Sequence, residues 1–125
     1  MKNLNKSINL KGKLRAALMI LLLGVIIASM LFAQENLKTE SIKTSAQCDM
    51  CKARIEKHLL KQDGLSEANL EVETAVCEVK FDSTKITLDD IRKEIASIGY
   101  DADDVKAIKR AYDKLPKCCK KPEDR

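Results

Sequence analysis

Cys48-Asp49-Met50-Cys51-Lys52-Ala53-Arg54-Ile55-Glu56-Lys57-His58-Leu59 is the stretch on which the fold of this chain turns. From Met50 to Gln62 the apolar residues Cys51, Ile55 and Leu59 recur at helical spacing, and Gly64 supplies a stop. The pattern predicts an amphipathic helix whose first turn carries the second of two cysteines. A pair at this spacing can close on one soft metal ion or on itself as a disulfide. A free thiol, with a pKa near about 8.5, is mostly protonated at neutral pH. The field of a helix N-terminus favours the thiolate of Cys51, while Cys48 lies in the loop before it.

Outward from this stretch the pattern alternates between strand and helix. Before it, Glu40 to Ser45 places Ile42 among polar residues and predicts a first strand. After it, Ala68, Leu70 and Val72 alternate with Asn69 and Glu71, and beyond Glu73-Thr74 the residues Ala75, Cys77, Val79 and Phe81 alternate with Glu78 and Lys80. Two half-buried strands joined by a tight turn follow. Asp82 to Lys85 reads as a turn. Thr87, with Asp90 three residues on, caps a second helix whose stripe is Leu88, Ile91, Ile95 and Ile98, ended by Gly99. Tyr100 to Ala107 predicts a fourth strand, and Ile108 to Leu115 a short terminal helix stopped by Pro116. The order strand, helix, strand, strand, helix, strand implies an α+β fold. The expected form is ferredoxin-like βαββαβ, an antiparallel sheet with two helices on one face, plus a short C-terminal helix and tail.

The chain opens with Lys2, Lys6, Lys11, Lys13 and Arg15, then runs without a charge from Ala16 to Phe32 and reaches Ala33-Gln34. This reads as a secretory leader cleaved after Ala33, or alternatively as an inner-membrane anchor formed by residues 16–32. In either case the remainder is expected to be exported, to the periplasm. The organisation expected is a leader over 1–33, a linker over 34–38, one domain over 39–107, and a helix with a cysteine-containing tail over 108–125. Five of the 23 basic residues and none of the 19 acidic ones fall in the leader, leaving 18 against 19. That balance removes the electrostatic footing for nucleic-acid binding. The odd count of five cysteines, unevenly spaced, argues against a disulfide scaffold.

From about Glu40 to Ala107 the chain resembles the heavy-metal-associated domain family of copper chaperones, metal-pumping ATPases and periplasmic mercury-binding proteins. The residues carrying the resemblance are Cys48-Asp49-Met50-Cys51 with Ala53-Arg54-Ile55-Glu56, then Gly64-Leu65, the hairpin ending in Val79 and Phe81, and Ile98-Gly99-Tyr100. A leader followed by one such domain is similar in layout to the mercury-binding members. The family's metal loop usually reads Gly-Met-Thr-Cys, whereas Ser45, Ala46, Gln47 and Cys48 stand here. The buried methionine that steadies the loop is absent, which bears on rigidity and metal preference more than on binding itself. Tyr100 corresponds to a tyrosine that stands beside the metal loop in bacterial relatives, and an ordinary core aromatic is the equal alternative.

Two soft sulfurs without a nearby imidazole suit Cu(I) first and Hg(II) next, while Zn(II) or Cd(II) would need further donors. The expected function is that of an exported metallochaperone or scavenger. It would hold one ion between Cys48 and Cys51 and pass it by ligand exchange to a metal-transporting membrane protein or a related domain, the partner that the resemblance implies. No catalytic base, nucleophile pair or nucleotide loop is visible, so the chain reads as a non-enzyme. The alternative is a thiol-disulfide oxidoreductase using the same CxxC. Against it, Pro116 and Pro122 are the only prolines, both in the tail, and tryptophan is absent.

The remaining candidates have plainer readings. Met50 and Asp49 point outward as loop residues, and His58, about 10 Å along the helix from Cys51, lies beyond reach of the same ion. Cys77 shares the inward face of its strand and reads as a small buried hydrophobe. Lys117, Lys120 and Lys121 read as a solvated end. Cys118 and Cys119 are open to three readings: a third or fourth sulfur for the Cys48/Cys51 ion, a second, weaker soft-metal site, or a disordered tail. A helix over 108–115 covers about 12 Å and an extended 116–118 about 10 Å, enough to return along a strand of about 20 Å. If the leader is processed, the intact mass of the native protein should begin at Gln34. A full-length mass in the membrane fraction would instead identify an anchor.

Overall fold

The structure, a computed structural model, describes residues 2–32 and 36–125. The chain divides into two units, Met1–Glu35 and Asn36–Arg125. In the first, helix α1 runs over Lys2–Phe32, with the apolar side chains between Leu18 and Ile27 exposed. No helix among the described residues is long and apolar enough to cross a membrane. The expected cleavage point, Ala33-Gln34, lies outside the described residues.

In the second unit, strands β1 (Leu37–Lys43), β2 (Leu65–Glu71) and β3 (Val76–Asp82) form an antiparallel sheet in the order β1-β3-β2. Helix α2 spans Asp49–Leu59, α3 Leu88–Ser97 and α4 Lys109–Asp113, and short 3-10 turns at Lys117–Cys119 and Pro122–Asp124 close the chain. β1 begins inside the segment read as linker, because Leu37 to Glu40 pair through their backbones with Asp82 to Val79 while their side chains remain exposed. The register aligns Ile42, Cys77 and Leu70 across the three strands, and all three are buried. Cys77, Val79 and Phe81 alternate inward along β3 as expected. Ala75 closes the β2–β3 turn at φ +55.

The helices complete this core. The stripe Cys51, Ile55 and Leu59 of α2 and the pair Ile91 and Ile95 of α3 are fully buried and join the inward sheet residues in one cluster. Each such aliphatic side chain contributes about 1.5–3 kcal/mol by leaving water. The capping box at α3 forms as expected, with Thr87 Oγ1 accepting from the Asp90 N–H and the Asp90 carboxylate accepting from the Thr87 N–H. A polar pair fixes α2 on β2: Glu56 accepts the Leu70 N–H at 2.7 Å, and Lys52 donates to the Leu70 carbonyl at 2.5 Å.

The fourth strand expected over 100–107 is not formed. Ala102 bridges to Thr44, but the chain then reverses, with Ala102 and Val105 exchanging two backbone hydrogen bonds of 2.9 Å. Asp103 takes a left-handed φ of +50, tolerated by aspartate, and captures Lys43 twice: its N–H donates to the Lys43 carbonyl and its carboxylate accepts the Lys43 N–H. Arg92 holds the same carboxylate at 2.8 Å. These contacts use the end of β1 that a longer strand would have paired. The full βαββαβ order therefore reduces to a three-stranded sheet with helices, and the terminal helix is shorter than the expected 108–115.

Gly99 has φ +98, and a Cβ there would stand 2.8 Å from the Tyr112 nitrogen and 2.9 Å from the Ala111 carbonyl carbon. Only glycine lets α4 lie so close to the end of α3. Gly99→Ala is therefore expected to cost more than the roughly 1–2 kcal/mol of a left-handed L-residue, since α4 must also move. An unchanged urea midpoint would contradict this close approach.

Candidate metal centre

Backbone and short polar side chains hold the loop between β1 and α2. The Thr44 N–H and hydroxyl both donate to the Ala75 carbonyl, and Thr44 Oγ1 accepts the Ala46 N–H at 3.3 Å. Ser45 donates its N–H to the Asp101 carbonyl and accepts the Asp101 N–H at its hydroxyl. Ala46, where a methionine would be usual, is buried. Cross-links to residues 75 and 101 thus tie the loop on both sides without that larger side chain.

Cys48 is the N-cap of α2, extended at φ −158, and its side chain makes no capping bond. Its sulfur is left free for other contacts. The Cys51 side chain is anchored in the core one turn along, and the two Sγ atoms stand 3.2 Å apart. Cys119 Sγ lies 3.8 Å from Cys48 Sγ, and Cys118 Sγ lies 3.9 Å from Cys119 Sγ. The sulfurs of Cys48, Cys118 and Cys119 are all within 4.8 Å of one another.

The tail is brought there by contacts that do not involve sulfur. Leu115 is buried in the core cluster. Lys121 Nζ meets the Asp101 carboxylate at 2.7 Å, and Tyr112 Oη accepts the Lys121 N–H and donates to Asp124 at 2.6 Å. Lys121 is thus a docking residue, not part of a solvated end, whereas Lys117 is exposed. Asp101 and the docking contact of Lys121 escaped sequence reading because their partners lie in other elements.

Electrostatics separate the thiols. Burial works to raise the Cys48 pKa, but the Cys51 thiol, the Cys119 thiol and the nearby Cys51 and Met50 N–H groups, which face the sulfur without closing a capping bond, together hold it below the ordinary thiol value. Burial, reinforced by the Cys51 thiol, pushes Cys119 up to about 12. Burial does the same to Cys77, also to about 12. Cys77 sits within the sheet, as its strand pattern predicts. Tyr100 is fully buried, and burial followed by the Cys119 and Cys51 thiols pushes its phenol well above its usual range. Its hydroxyl has no hydrogen-bond partner among the described residues. His58 pairs with Glu94 at 2.8 Å across α2 and α3, and Met50 is exposed. A cleft of about 370 Å³ beside α2, lined in part by Arg54, Lys57, Lys61 and Lys114, contains none of the thiols.

The heavy-metal-associated domain profile matches residues 45–101. Copper chaperone CopZ of Staphylococcus saprophyticus is 36% identical over 64 residues, which cover 50% of this chain and 94% of that protein. The chain belongs to the heavy-metal-associated domain family. Among solved structures, a CopZ metallochaperone superposes with a TM-score of 0.51 at 26% identity, covering 52% of this chain and 98% of that one. The water-soluble region of the P-type ATPase CopA from Bacillus subtilis gives a TM-score of 0.50 at 30% identity, covering 53% and 44%. The profile match of this family member ends at Asp101, so α4 and the Cys118-Cys119 tail lie beyond it.

Iodoacetamide at neutral pH is expected to modify Cys48 and the exposed Cys118 first, and Cys77 only when the domain unfolds. Labelling of Cys48 should rise with pH through a midpoint below the ordinary thiol value, as its thiolate becomes populated. Equal rates at Cys48 and Cys77, read by peptide mass spectrometry, would contradict these environments.

Proposed function

We propose that this protein captures one soft metal ion, Cu(I) in preference to Hg(II), between the thiolates of Cys48 and Cys51 and transfers it by ligand exchange. It acts as an exported metallochaperone or scavenger and not as an enzyme. The observation that carries this reading is the thiol pair itself, one sulfur rooted in the core of α2 and the other at the uncapped helix N-terminus, 3.2 Å apart. Sulfur donors without a nitrogen ligand favour soft ions. The helix N-terminus adds partial positive charge that favours the Cys48 thiolate. The naming of similar proteins as copper chaperones favours copper over mercury.

Transfer follows from the unequal burial of the pair. Cys51 is inaccessible and Cys48 half-buried, so an incoming thiolate meets the ion on the Cys48 side. Coordination expands by one sulfur and then contracts as Cys48 departs. The ion keeps its oxidation state, and the thiols released take up protons from solvent. A metal-transporting membrane protein or a related metal-binding domain is the receiving partner. The likeness to the soluble region of a P-type ATPase supports that class of partner. The basic and then apolar leader supports export to the periplasm, with residues 16–32 as an anchor if cleavage does not occur.

Titrating the reduced domain with Cu(I) against a competing chelator should give tight one-to-one binding. Cys48→Ser/Cys51→Ser should weaken it by more than about 100-fold, beyond the loss caused by removing a supporting contact. Failure of one-to-one binding, or its survival in the double variant, would contradict the proposal. Turnover in an insulin-reduction assay would favour a thiol-disulfide oxidoreductase instead.

A further inference from the structure

We propose that Cys119 supplies a third sulfur to the bound ion and Cys118 a fourth for tetrahedral ions, so that the C-terminal tail closes the site as a strap. This rests on the reading that Cys48 and Cys51 hold the ion.

The spacing of the sulfurs carries the argument. With metal–sulfur bonds of about 2.3 Å, two thiolates stand about 3.8 Å apart around a tetrahedral ion, about 4.0 Å around a trigonal one and about 4.6 Å around a linear one. Cys48 to Cys119 is 3.8 Å and Cys118 to Cys119 is 3.9 Å. These two separations match edges of a multi-sulfur site before any ion enters, and Cys48, Cys118 and Cys119 lie within 4.8 Å of one another, whereas Cys51 stands outside that group and must shift to share the ion. Cys48 to Cys51, at 3.2 Å, must open by more than half an ångström to share an ion, and least for a site of high coordination number.

Two independent features point the same way. Leu115 in the core and Lys121 on Asp101 seat the tail without help from sulfur, so Cys119 is delivered by folding and is itself buried. The Tyr100 hydroxyl, fully buried beside the Cys51 and Cys119 thiols, has no hydrogen-bond partner among the described residues. Thiolates held by an ion would be stronger acceptors for that hydroxyl than the neutral thiols beside it, and a buried hydroxyl without a good acceptor is costly.

The consequence is retention. An ion held by Cys48, Cys51 and Cys119 leaves only when a competing thiolate displaces the strap, so release is coupled to undocking of the tail. Each thiol that binds releases its proton to solvent, and no electron is transferred. The ions that fit are Cu(I) and Hg(II) with three sulfurs, and Cd(II) or Zn(II) with four.

X-ray absorption on the Cu(I)-loaded wild type should give a shell of three sulfurs, falling to two in Cys118→Ala/Cys119→Ala. Loaded with Cd(II), the wild type should show four sulfurs, and Cys118→Ala three. A two-sulfur Cu(I) shell in the wild type, with unchanged competition against a chelator in the double variant, would overturn the strap while leaving the Cys48/Cys51 site intact. The wild-type shell is decisive even if the variant misfolds. Loss of one-to-one binding in the wild type would overturn the underlying reading and this inference with it.

Discussion

Withdrawal of the Cys51, Ile55 and Leu59 stripe from water fixes α2 against the sheet, and the positions of the Cys48 and Cys51 sulfurs follow from it. Ile55 and Leu59 supply the hydrophobic free energy. Glu56 and Lys52 set the register of the helix on β2 by engaging both backbone groups of Leu70. Once the helix is placed, Cys51 is fully buried with it. Cys48, at the N-cap, stays partly exposed.

The second anchoring is electrostatic and local. Asp101 stands at the junction of loop and tail: its backbone meets Ser45 on both sides, while its carboxylate holds the Ala107 N–H and Lys121. Burial, followed by the opposing Ala107 N–H and Lys121 contacts, leaves that carboxylate below its usual range and charged at neutral pH. The metal loop and the cysteine-bearing tail therefore share one residue. Burial of Cys119, meanwhile, keeps its thiol protonated until something replaces the proton. A soft ion would do so by forming strong bonds to sulfur, whereas a hard ion would have to remove the same proton with weaker bonds.

The helices, the β2–β3 hairpin and the cysteine pair were legible because each rests on periodicity or short spacing: three apolar residues down α2, alternation into Cys77, Val79 and Phe81, and a capping box at Thr87. The strand expected from Tyr100 onward failed because apolar alternation competed with Asp103, whose carboxylate and N–H take the edge of β1. The start of β1 was obscure for the opposite reason, since Leu37, Lys38 and Thr39 pair through backbone alone. The reach of Cys118 and Cys119 could be calculated as feasible from chain length. Their docking could not, because it depends on Lys121 meeting Asp101 and on Gly99 admitting α4, contacts between elements that leave no periodic trace.

The central claim is that a soft ion is held at the thiols gathered between the N-terminus of α2 and the tail. Backbone amide spectra of the uniformly labelled domain, recorded as Cu(I) is added to one equivalent, test it most directly. The account predicts shifts concentrated at residues 46–52, at Tyr100 and at 116–121, saturating at one ion per chain. Shifts centred instead on His58 and Glu94, or none at the cysteine loop, would contradict it.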